Sequence, residues 1–148
     1  TSATTFEPNE VCSRAEVVAF LWRVAGRPAP KSINMPFTDV PRESYYYNAV
    51  LWAVENGVTA GTSKTTFSPD DPCTRAQTVA MLWRAQGRPE AGKDNPFTDV
   101  DKKAYYADAV LWAVKESVTA GTSDTTFSPN DSCTRAQIVA FLYRALGK

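Results

Sequence analysis

The sequence contains no histidine among its 148 residues, and this absence narrows the chemistry open to the chain. Without histidine there is no Ser-His or Cys-His nucleophile pair, and both the commonest general base and the commonest zinc ligand are missing. An enzyme that relies on carboxylates alone is the least favoured alternative. The sequence therefore predicts a protein that is not an enzyme and that holds no metal or cofactor.

The chain also lacks net charge and long apolar runs. Its 16 basic and 16 acidic residues cancel, which argues against binding to nucleic acid or to an anionic membrane. No apolar run approaches the roughly 20 residues that a membrane span needs, so no membrane insertion is expected. The first residues are polar, and no signal peptide is expected either. A hydrophobic content of 43% and four tryptophans nevertheless predict a globular chain.

What the sequence does have is internal repetition. A phrase of the form Cys-(Ser/Thr)-Arg-Ala-(Glu/Gln) begins at Cys12, Cys73 and Cys133, and Phe-Thr-Asp-Val begins at Phe37 and Phe97. A fixed period of this kind indicates a modular array. We expect one array over residues 1–148, with a partial first repeat and linker at 1–36, a second repeat and linker at 37–96, and a third repeat at 97–148.

The sequence pattern of each complete repeat predicts two helices. Apolar residues at helical spacing predict the first helix over 42–56 and again over 102–116. Gly57 stands where a left-handed residue ends a helix. Ser117 takes that place in the next copy, at an expected cost of about 1 kcal/mol or less.

The second helix of each repeat begins at the repeated phrase. There the first polar residue and the residue three positions later match a capping box. Glycine then marks the end of each of these helices. The pairs are Ser13 with Glu16, Thr74 with Gln77 and Thr134 with Gln137, and the ends are Gly26, Gly87 and Gly147.

The order Phe-Thr-Asp-Val, Tyr-Tyr, the Ala-Val helix, Val-Thr-Ala-Gly-Thr, Phe-Ser-Pro and Thr-Arg-Ala-Gln resembles the S-layer homology repeat over essentially the whole chain. The resemblance implies an all-α fold of helix-loop-helix repeats in a pseudo-threefold spindle with irregular loops. It also implies a noncatalytic anchor, located outside the cell at the bacterial surface. Such an anchor binds secondary cell-wall polysaccharide through acidic, pyruvylated sugars. The alternative is a helical protein–protein interaction module of a surface or secreted protein.

The arginine of the repeated phrase is not explained by helix capping. At the first helical position a cation faces the positive end of the helix dipole, which is unfavourable by about 0.3–1 kcal/mol. One interpretation is compensation by an acid of the preceding loop. The other is an acidic ligand held by arginine together with free helix N-terminal amides. The loop acids are Glu10 for Arg14, Asp70 or Asp71 for Arg75, and Asp131 for Arg135.

Resemblance to the family adds further candidates for the glycan site. Asp39 and Asp99 have the alternative role of capping the turn that follows them, and the two glycines that of forming turns. The complete predicted glycan-binding set is Arg14, Arg75, Arg135, Thr74, Thr134, Gly61, Gly121, Asp39 and Asp99.

The three cysteines and the tryptophans Trp52 and Trp112 are predicted to be structural. A buried free cysteine behaves as a small apolar residue. Equivalent positions in a spindle are expected to lie far apart, which argues against a three-cysteine metal site. Trp52 and Trp112 fall within the apolar helices and are expected in the core rather than on a sugar-stacking surface.

The partial first repeat raises the question of what covers its helix at 13–25. The first helix of the same repeat is not in the sequence, so Leu21 and Trp22 are expected to be left bare. Bare side chains of this size would each forfeit about 1.5–3 kcal/mol. A second copy of the chain, as a homo-oligomer, or a bound upstream fragment that completes the first repeat is therefore expected to cover them.

Overall fold

A computed structural model describes residues 9–146, and the chain there is helical. Between residues 9 and 146 extended pairing is limited to isolated bridges, and no strand forms. The all-α prediction is therefore confirmed. The helices are α1 (Arg14–Val24), α2 (Tyr47–Glu55), α3 (Arg75–Ala85), α4 (Ala107–Lys115) and α5 (Arg135–Leu146).

The capping boxes form as the sequence predicts. The Thr74 hydroxyl accepts the N–H of Gln77 at 3.0 Å, and the Gln77 side chain accepts the N–H of Thr74 at 3.0 Å. The pairs at the starts of α1 and α5 make the same reciprocal bonds. Gly26 and Gly87 follow the ends of α1 and α3 with positive φ. The predicted end at Gly147 lies outside the described residues.

The first helices of the repeats are shorter than predicted. Helices α2 and α4 begin at Tyr47 and Ala107, about one turn later than expected. Residues 42–46 form turns instead, in which Ser44 N–H bonds the carbonyl of Pro41 and Tyr47 N–H bonds that of Ser44. Bonds of this i to i+3 type close turns tighter than those of an α-helix, so the predicted helical start at 42 is wrong.

The predicted left-handed helix ends are confirmed. Gly57 has φ of 70° and Ser117 has φ of 60°. Val58 N–H bonds the carbonyl of Ala53 at 2.8 Å and Gly57 N–H bonds that of Val54 at 3.1 Å, which is the Schellman pattern. Serine thus adopts the conformation that glycine adopts more readily in the other copy.

The chain divides into two compact units that do not coincide with the sequence repeats. One unit is Ser13–Pro72, and within it α1 packs against α2. The other combines Thr1–Cys12 with Cys73–Lys148, and within it α3 packs against α4 and, less extensively, against α5. Each closely packed helix pair thus joins the second helix of one repeat to the first helix of the next.

This pairing overturns the expectation that α1 is left bare. Val17, Val18 and Leu21 are buried, and Trp22 is half-buried with its indole N–H bonded to the carbonyl of Pro28 at 2.9 Å. The prediction assumed that a helix is covered by its own repeat, whereas α1 is covered by the following one. The argument for a second copy or an upstream fragment over α1 therefore fails.

The three cysteines lie together, which contradicts the expectation that they are far apart. Their backbones form a closed ring in which Cys12 N–H bonds Cys133, Cys133 N–H bonds Cys73 and Cys73 N–H bonds Cys12, at 2.8–2.9 Å. All three are free thiols and fully buried, as predicted. The Thr78 hydroxyl donates to the carbonyl of Thr74 at 2.9 Å, and its oxygen lies 3.3 Å from the Cys73 sulfur, which explains a polar residue here.

Candidate functional site

The first site residue, Asp39, holds the Phe-Ser-Pro loop in place. Its two carboxylate oxygens accept the N–H groups of Phe67 at 2.9 Å and Ser68 at 2.8 Å. Ser68 has φ of 59°, a left-handed conformation that a non-glycine residue keeps only when its surroundings enforce it. Asp99 makes the same two bonds to Phe127 and Ser128. Both aspartates therefore bond a loop 28 and 29 residues further along the chain, and not the turn that follows them.

Gly61 allows the same loop to close onto the core. It has φ of 85°, and a Cβ atom there would lie 2.5 Å from the Phe37 ring and 2.7 Å from the carbonyl of Thr66. The Phe37 ring packs in turn on the ring of Phe67, with centroids 5.7 Å apart. Gly121 is in the same position against Phe97. Any side chain at either position would displace the loop.

Arg14 lies beneath the loop that Asp39 and Gly61 shape. It is 4% exposed, its Nε donates to the carbonyl of Phe67 at 2.9 Å, and its guanidinium stacks on the Phe67 ring at 4.9 Å. A guanidinium nitrogen also lies 3.5 Å from the Thr59 hydroxyl, at the limit of a hydrogen bond. The structure thus joins three predicted site residues, Arg14, Asp39 and Gly61, through Phe67.

Arg75 makes the equivalent arrangement in the other unit. It is 3% exposed, its Nε donates to the carbonyl of Phe127 at 2.9 Å, and its guanidinium stacks on the rings of Phe127 and Phe141. Burial lowers the pKa of Arg75, while the thiol of Cys133 and the carboxylates of Asp131 and Asp99 oppose that shift. A guanidinium remains charged under all ordinary conditions, so a buried positive charge lies beneath each loop.

The first amides of α1 and α3 are already bonded within the fold. Arg14 N–H bonds the carbonyl of Asp71 and Ala15 N–H bonds that of Pro69, at 2.9 and 3.0 Å. Arg75 and Ala76 make the same bonds to Asp131 and Pro129. Since the capping side chains take the next N–H, the expectation of free N-terminal amides for a ligand is wrong for these two helices.

The loops that meet the helix starts come from the following repeat. The sequence assigned Asp70 or Asp71 to Arg75, but the carbonyl of Asp71 bonds Arg14 and the acids that act on Arg75 are Asp131 and Asp99. Arg135 is half-buried, and its N–H bonds the carbonyl of Glu10 at 2.9 Å. Thr74 and Thr134 act as helix caps.

Sequence reasoning missed a cluster of hydroxyl groups on each loop. Thr62 bonds Thr66 at 3.0 Å and Ser68 at 2.6 Å, and Ser63 bonds Thr66 at 2.6 Å, all through side-chain oxygens. The same four positions bond in the same way in the other unit, at 122, 123, 126 and 128. The repetition of Thr-Ser and Thr-Thr-Phe-Ser in both complete repeats is the sequence pattern that could have indicated this cluster. Hydroxyl groups both donate and accept, as a ligand rich in hydroxyls requires.

The two loops differ in charge at the tip. Lys64 occupies the exposed position between Ser63 and Thr65 in one loop, and Asp124 occupies it in the other. In the first unit Tyr46 stands beside the site, where burial and the carboxylates of Asp70 and Asp39 raise the pKa of its hydroxyl. The two sites share a framework but differ in electrostatic potential.

Two further properties of residues 9–146 bear on function. No set of three or more cysteine, aspartate or glutamate side chains there is arranged to hold a metal ion. Over the same residues no helix has the length and apolar character needed to cross a membrane. Trp52 and Trp112 are buried in α2 and α4, as predicted for core residues.

The family model of the S-layer homology domain matches the chain at residues 36–79 and 96–139. The matched segments together cover more than half of the chain.

Comparison with curated proteins gives relatives that are much longer than this chain. An endoglucanase of a Bacillus species is 38% identical over 78% of the chain, which spans 12% of that relative. A surface-layer 125 kDa protein of Lysinibacillus sphaericus is 29% identical over 95% of the chain, which spans 12% of the relative. A cellulosome-anchoring protein of Acetivibrio thermocellus is 26% identical over 95% of the chain, which spans 33% of the relative.

Proposed function

Because the chain belongs to the S-layer homology domain family, we propose that it is a noncatalytic module that anchors a larger exported protein to secondary cell-wall polysaccharide. Family membership and the surface-layer relatives make it an extracellular module of the bacterial cell surface. The chain spans only 12% of the related endoglucanase, so a catalytic name there does not transfer to this segment. The cargo is the remainder of the longer protein.

The observation that best supports the proposal is an arrangement that occurs once in each unit, in which a buried arginine lies beneath a rim of exposed hydroxyl groups. In each unit the charge of Arg14 or Arg75 lies under a loop fixed by Asp39 or Asp99. Exposed threonine and serine hydroxyls cover that loop. Hydroxyls suit the ring oxygens and hydroxyl groups of a sugar, and the positive charge favours a carboxylate substituent such as a pyruvyl group.

The proposed glycan sites follow this geometry. The first comprises Arg14, Asp39 and Gly61, the second Thr74, Arg75, Asp99 and Gly121, and the third Thr134 and Arg135. Arg14 and Arg75 are almost fully buried, so their contribution to binding is mainly the charge that they place beneath the rim. The threonines cap the helices that carry the arginines and so position them.

We further propose that the three repeats, bounded near residues 36 and 96, follow the pseudo-threefold spindle of the family. The closed ring of backbone bonds among the three cysteines supports this, because each repeat contributes one equivalent residue to it. The same backbone hydrogen bond joins Cys73 to Cys12, 61 residues apart, and Cys133 to Cys73, 60 residues apart.

The decisive experiment measures binding of the chain to purified secondary cell-wall polysaccharide by isothermal calorimetry or pull-down. We expect saturable binding that falls at least tenfold once mild acid has removed the pyruvyl groups. Equal binding before and after removal would exclude the acidic-sugar interpretation. Absence of binding to wall material from several S-layer bacteria would exclude the anchor itself.

Arginine variants then test the site. Arg75→Ala and Arg135→Ala should weaken binding, because each removes a positive charge from a proposed site for an acidic sugar. Arg84→Ala is the matched control, because Arg84 lies on α3 over the Tyr105 ring and outside the proposed sites. Circular dichroism must first show that each variant is folded. Normal binding by folded Arg75→Ala and Arg135→Ala would make these arginines purely structural.

A further inference from the structure

The linker that follows α1 binds a carboxylate through its backbone. Glu55, the last residue of α2, accepts the N–H of Lys31 with its two oxygens at 3.0 and 2.9 Å, and the N–H of Ser32 at 3.0 Å. Successive N–H groups that meet at one anion form a binding site made of main chain. Within the unit Ser13–Pro72, the anion at this site is supplied by the chain itself.

The linker that follows α3 begins with the same bond as the linker that follows α1. In each linker a tryptophan indole N–H bonds the carbonyl of the proline six residues later, and here Trp83 bonds Pro89 at 2.8 Å. The third and fourth residues after that proline are Gly92 and Lys93. They therefore correspond to the two residues whose N–H groups bind Glu55 in the other unit.

The helix that faces this second linker ends in the opposite charge. Lys115 is the last residue of α4 and corresponds to Glu55 of α2. A Cβ atom on Gly92 would lie 3.3 Å from the Lys115 Cβ and 3.0 Å from the Leu111 carbonyl, so the linker passes the last turn of α4. Among residues 9–146 the N–H groups of Gly92 and Lys93 have no hydrogen-bond partner. Main chain that binds an anion in one unit thus lies beside a cation in the other.

The second linker and α4 form a pocket of about 350 Å³, a volume at the small end of the range for ligand sites. Its lining includes two basic, two acidic and two apolar side chains: Lys93, Lys115, Glu90, Asp94, Leu111 and Val114. Because the basic and acidic side chains balance, the pocket does not favour a multiply charged anion. It suits a ligand with one carboxylate, a nearby hydrogen-bond donor and an apolar group.

We propose that this pocket binds the C-terminal carboxylate of a peptide whose last side chain is apolar. The carboxylate takes the place that Glu55 has against the first linker, bonded to the N–H groups of Gly92 and Lys93, with Lys115 beside it as the counter-charge. The apolar side chain packs on Leu111 of the lining, and the last peptide N–H donates to one of the acidic side chains. Capture of a terminal carboxylate by main-chain N–H groups is a known mode of peptide recognition.

The test follows the backbone amide signals of Gly92 and Lys93 in NMR spectra of the whole chain. The probe is the dipeptide N-acetyl-Ala-Leu, and its control is the same dipeptide with a C-terminal amide. We expect both signals to shift and to saturate with a dissociation constant on the order of 1 mM, since so small a ligand buries little surface. Binding of the amide form and of acetate should be at least tenfold weaker. Equal shifts from the acid and the amide would overturn the proposal, and acetate that binds as tightly as the dipeptide would exclude a peptide as the ligand.

Variants of Lys115 test the comparison between the two linkers. Lys115→Glu gives α4 the residue that ends α2, so its carboxylate should occupy the linker amides, shift their signals without ligand and weaken dipeptide binding at least tenfold. Lys115→Ala should weaken binding by about two- to fivefold, as expected for one exposed charge. Lys103→Glu changes the same charge at an exposed position outside the pocket, and this matched control should change binding less than twofold. Undiminished binding by Lys115→Glu, shown to be folded by circular dichroism, would overturn the proposal.

Discussion

Arg75 and Phe127 contact each other twice: the Nε of Arg75 bonds the Phe127 carbonyl at 2.9 Å, and the guanidinium lies 4.8 Å from the centre of the Phe127 ring. The arginine thus fixes both the backbone and the side chain of a residue 52 positions away. Arg14 and Phe67 show the same relationship. A residue that family resemblance assigned to ligand binding is therefore also part of the framework.

Replacing Arg75 with lysine should separate the effect of its charge from the effect of its contacts with Phe127. Lysine keeps the charge but lacks the planar guanidinium that stacks and donates from Nε. We expect Arg75→Lys to lower the free energy of unfolding by about 1.5–3 kcal/mol in urea titrations. Arg84→Lys removes the guanidinium from its place over the Tyr105 ring, 5.9 Å from the ring centre, and should cost about 1 kcal/mol or less. Equal losses in the two variants would contradict a special role for the Phe127 contact.

The two left-handed helix ends give a reciprocal pair of variants. Ser117→Gly should raise the free energy of unfolding by about 0.5–1 kcal/mol, because glycine adopts positive φ without steric cost. Gly57→Ser should lower it by a similar amount, since both residues have φ near 60–70° in the same Schellman ending. Thermal or urea unfolding of both variants measures this. If the free energy of unfolding changed in the same direction in both variants, a contact other than the helix ending would determine stability at these positions.

The cysteines are expected to be reduced and inert in the folded chain. Cys73→Val or Cys133→Val should change stability by less than about 1.5 kcal/mol, since the sites are buried and the volumes similar. Thr78 keeps its bond to the Thr74 carbonyl when Cys73 is replaced. Titration with a thiol reagent should be slow in the native chain and fast in urea. Rapid native labelling would place a thiol at the surface.

Stability should also fall at alkaline pH. Burial raises the pKa of Cys133 from its ordinary value near 9.0, with smaller opposing effects from Thr78 and Arg75. A raised pKa means that folding favours the neutral thiol, so its contribution is present below pH 9 and is lost as pH rises through the folded pKa. We expect urea midpoints to drop less between pH 8 and pH 10.5 in Cys133→Val than in the unaltered chain. Identical drops would assign the pH effect to other groups.

The opposite charges at the two loop tips predict that the two sites differ in affinity for acidic sugars. Lys64→Asp should weaken binding to pyruvylated polysaccharide and Asp124→Lys should strengthen it, each by less than about tenfold because the charges are exposed. Both effects should shrink as salt is raised from 0.05 to about 0.5 M, since the Debye length shortens over that range. Calorimetric titration at two salt concentrations measures this. Effects that are independent of salt would indicate direct contacts in place of charge.

Local features of the fold could be predicted from the sequence, and nonlocal ones could not. The capping box of Thr74 and Gln77 and the turn at Gly57 depend on residues within a few positions, so their letters suffice. The helix that covers α1 belongs to the following repeat, and no periodicity within one repeat reveals that choice. The same limit applies to the site. The repeated Phe-Thr-Asp-Val phrase draws attention to Asp39, but the partners of Asp39, Phe67 and Ser68, lie too far along the chain to be assigned from spacing.

The ring of backbone bonds among Cys12, Cys73 and Cys133 has a consequence for the order of folding. Its three bonds link positions 61, 60 and 121 residues apart, so it has almost no local component. Such distant pairings form late, because the entropy of loop closure must be lost before they contribute. The ring cannot close until Cys133 of the last repeat is in place beside Cys12 and Cys73. Because the three thiols are fully buried once the chain has folded, the interval before the ring closes is when they are most accessible to oxidants.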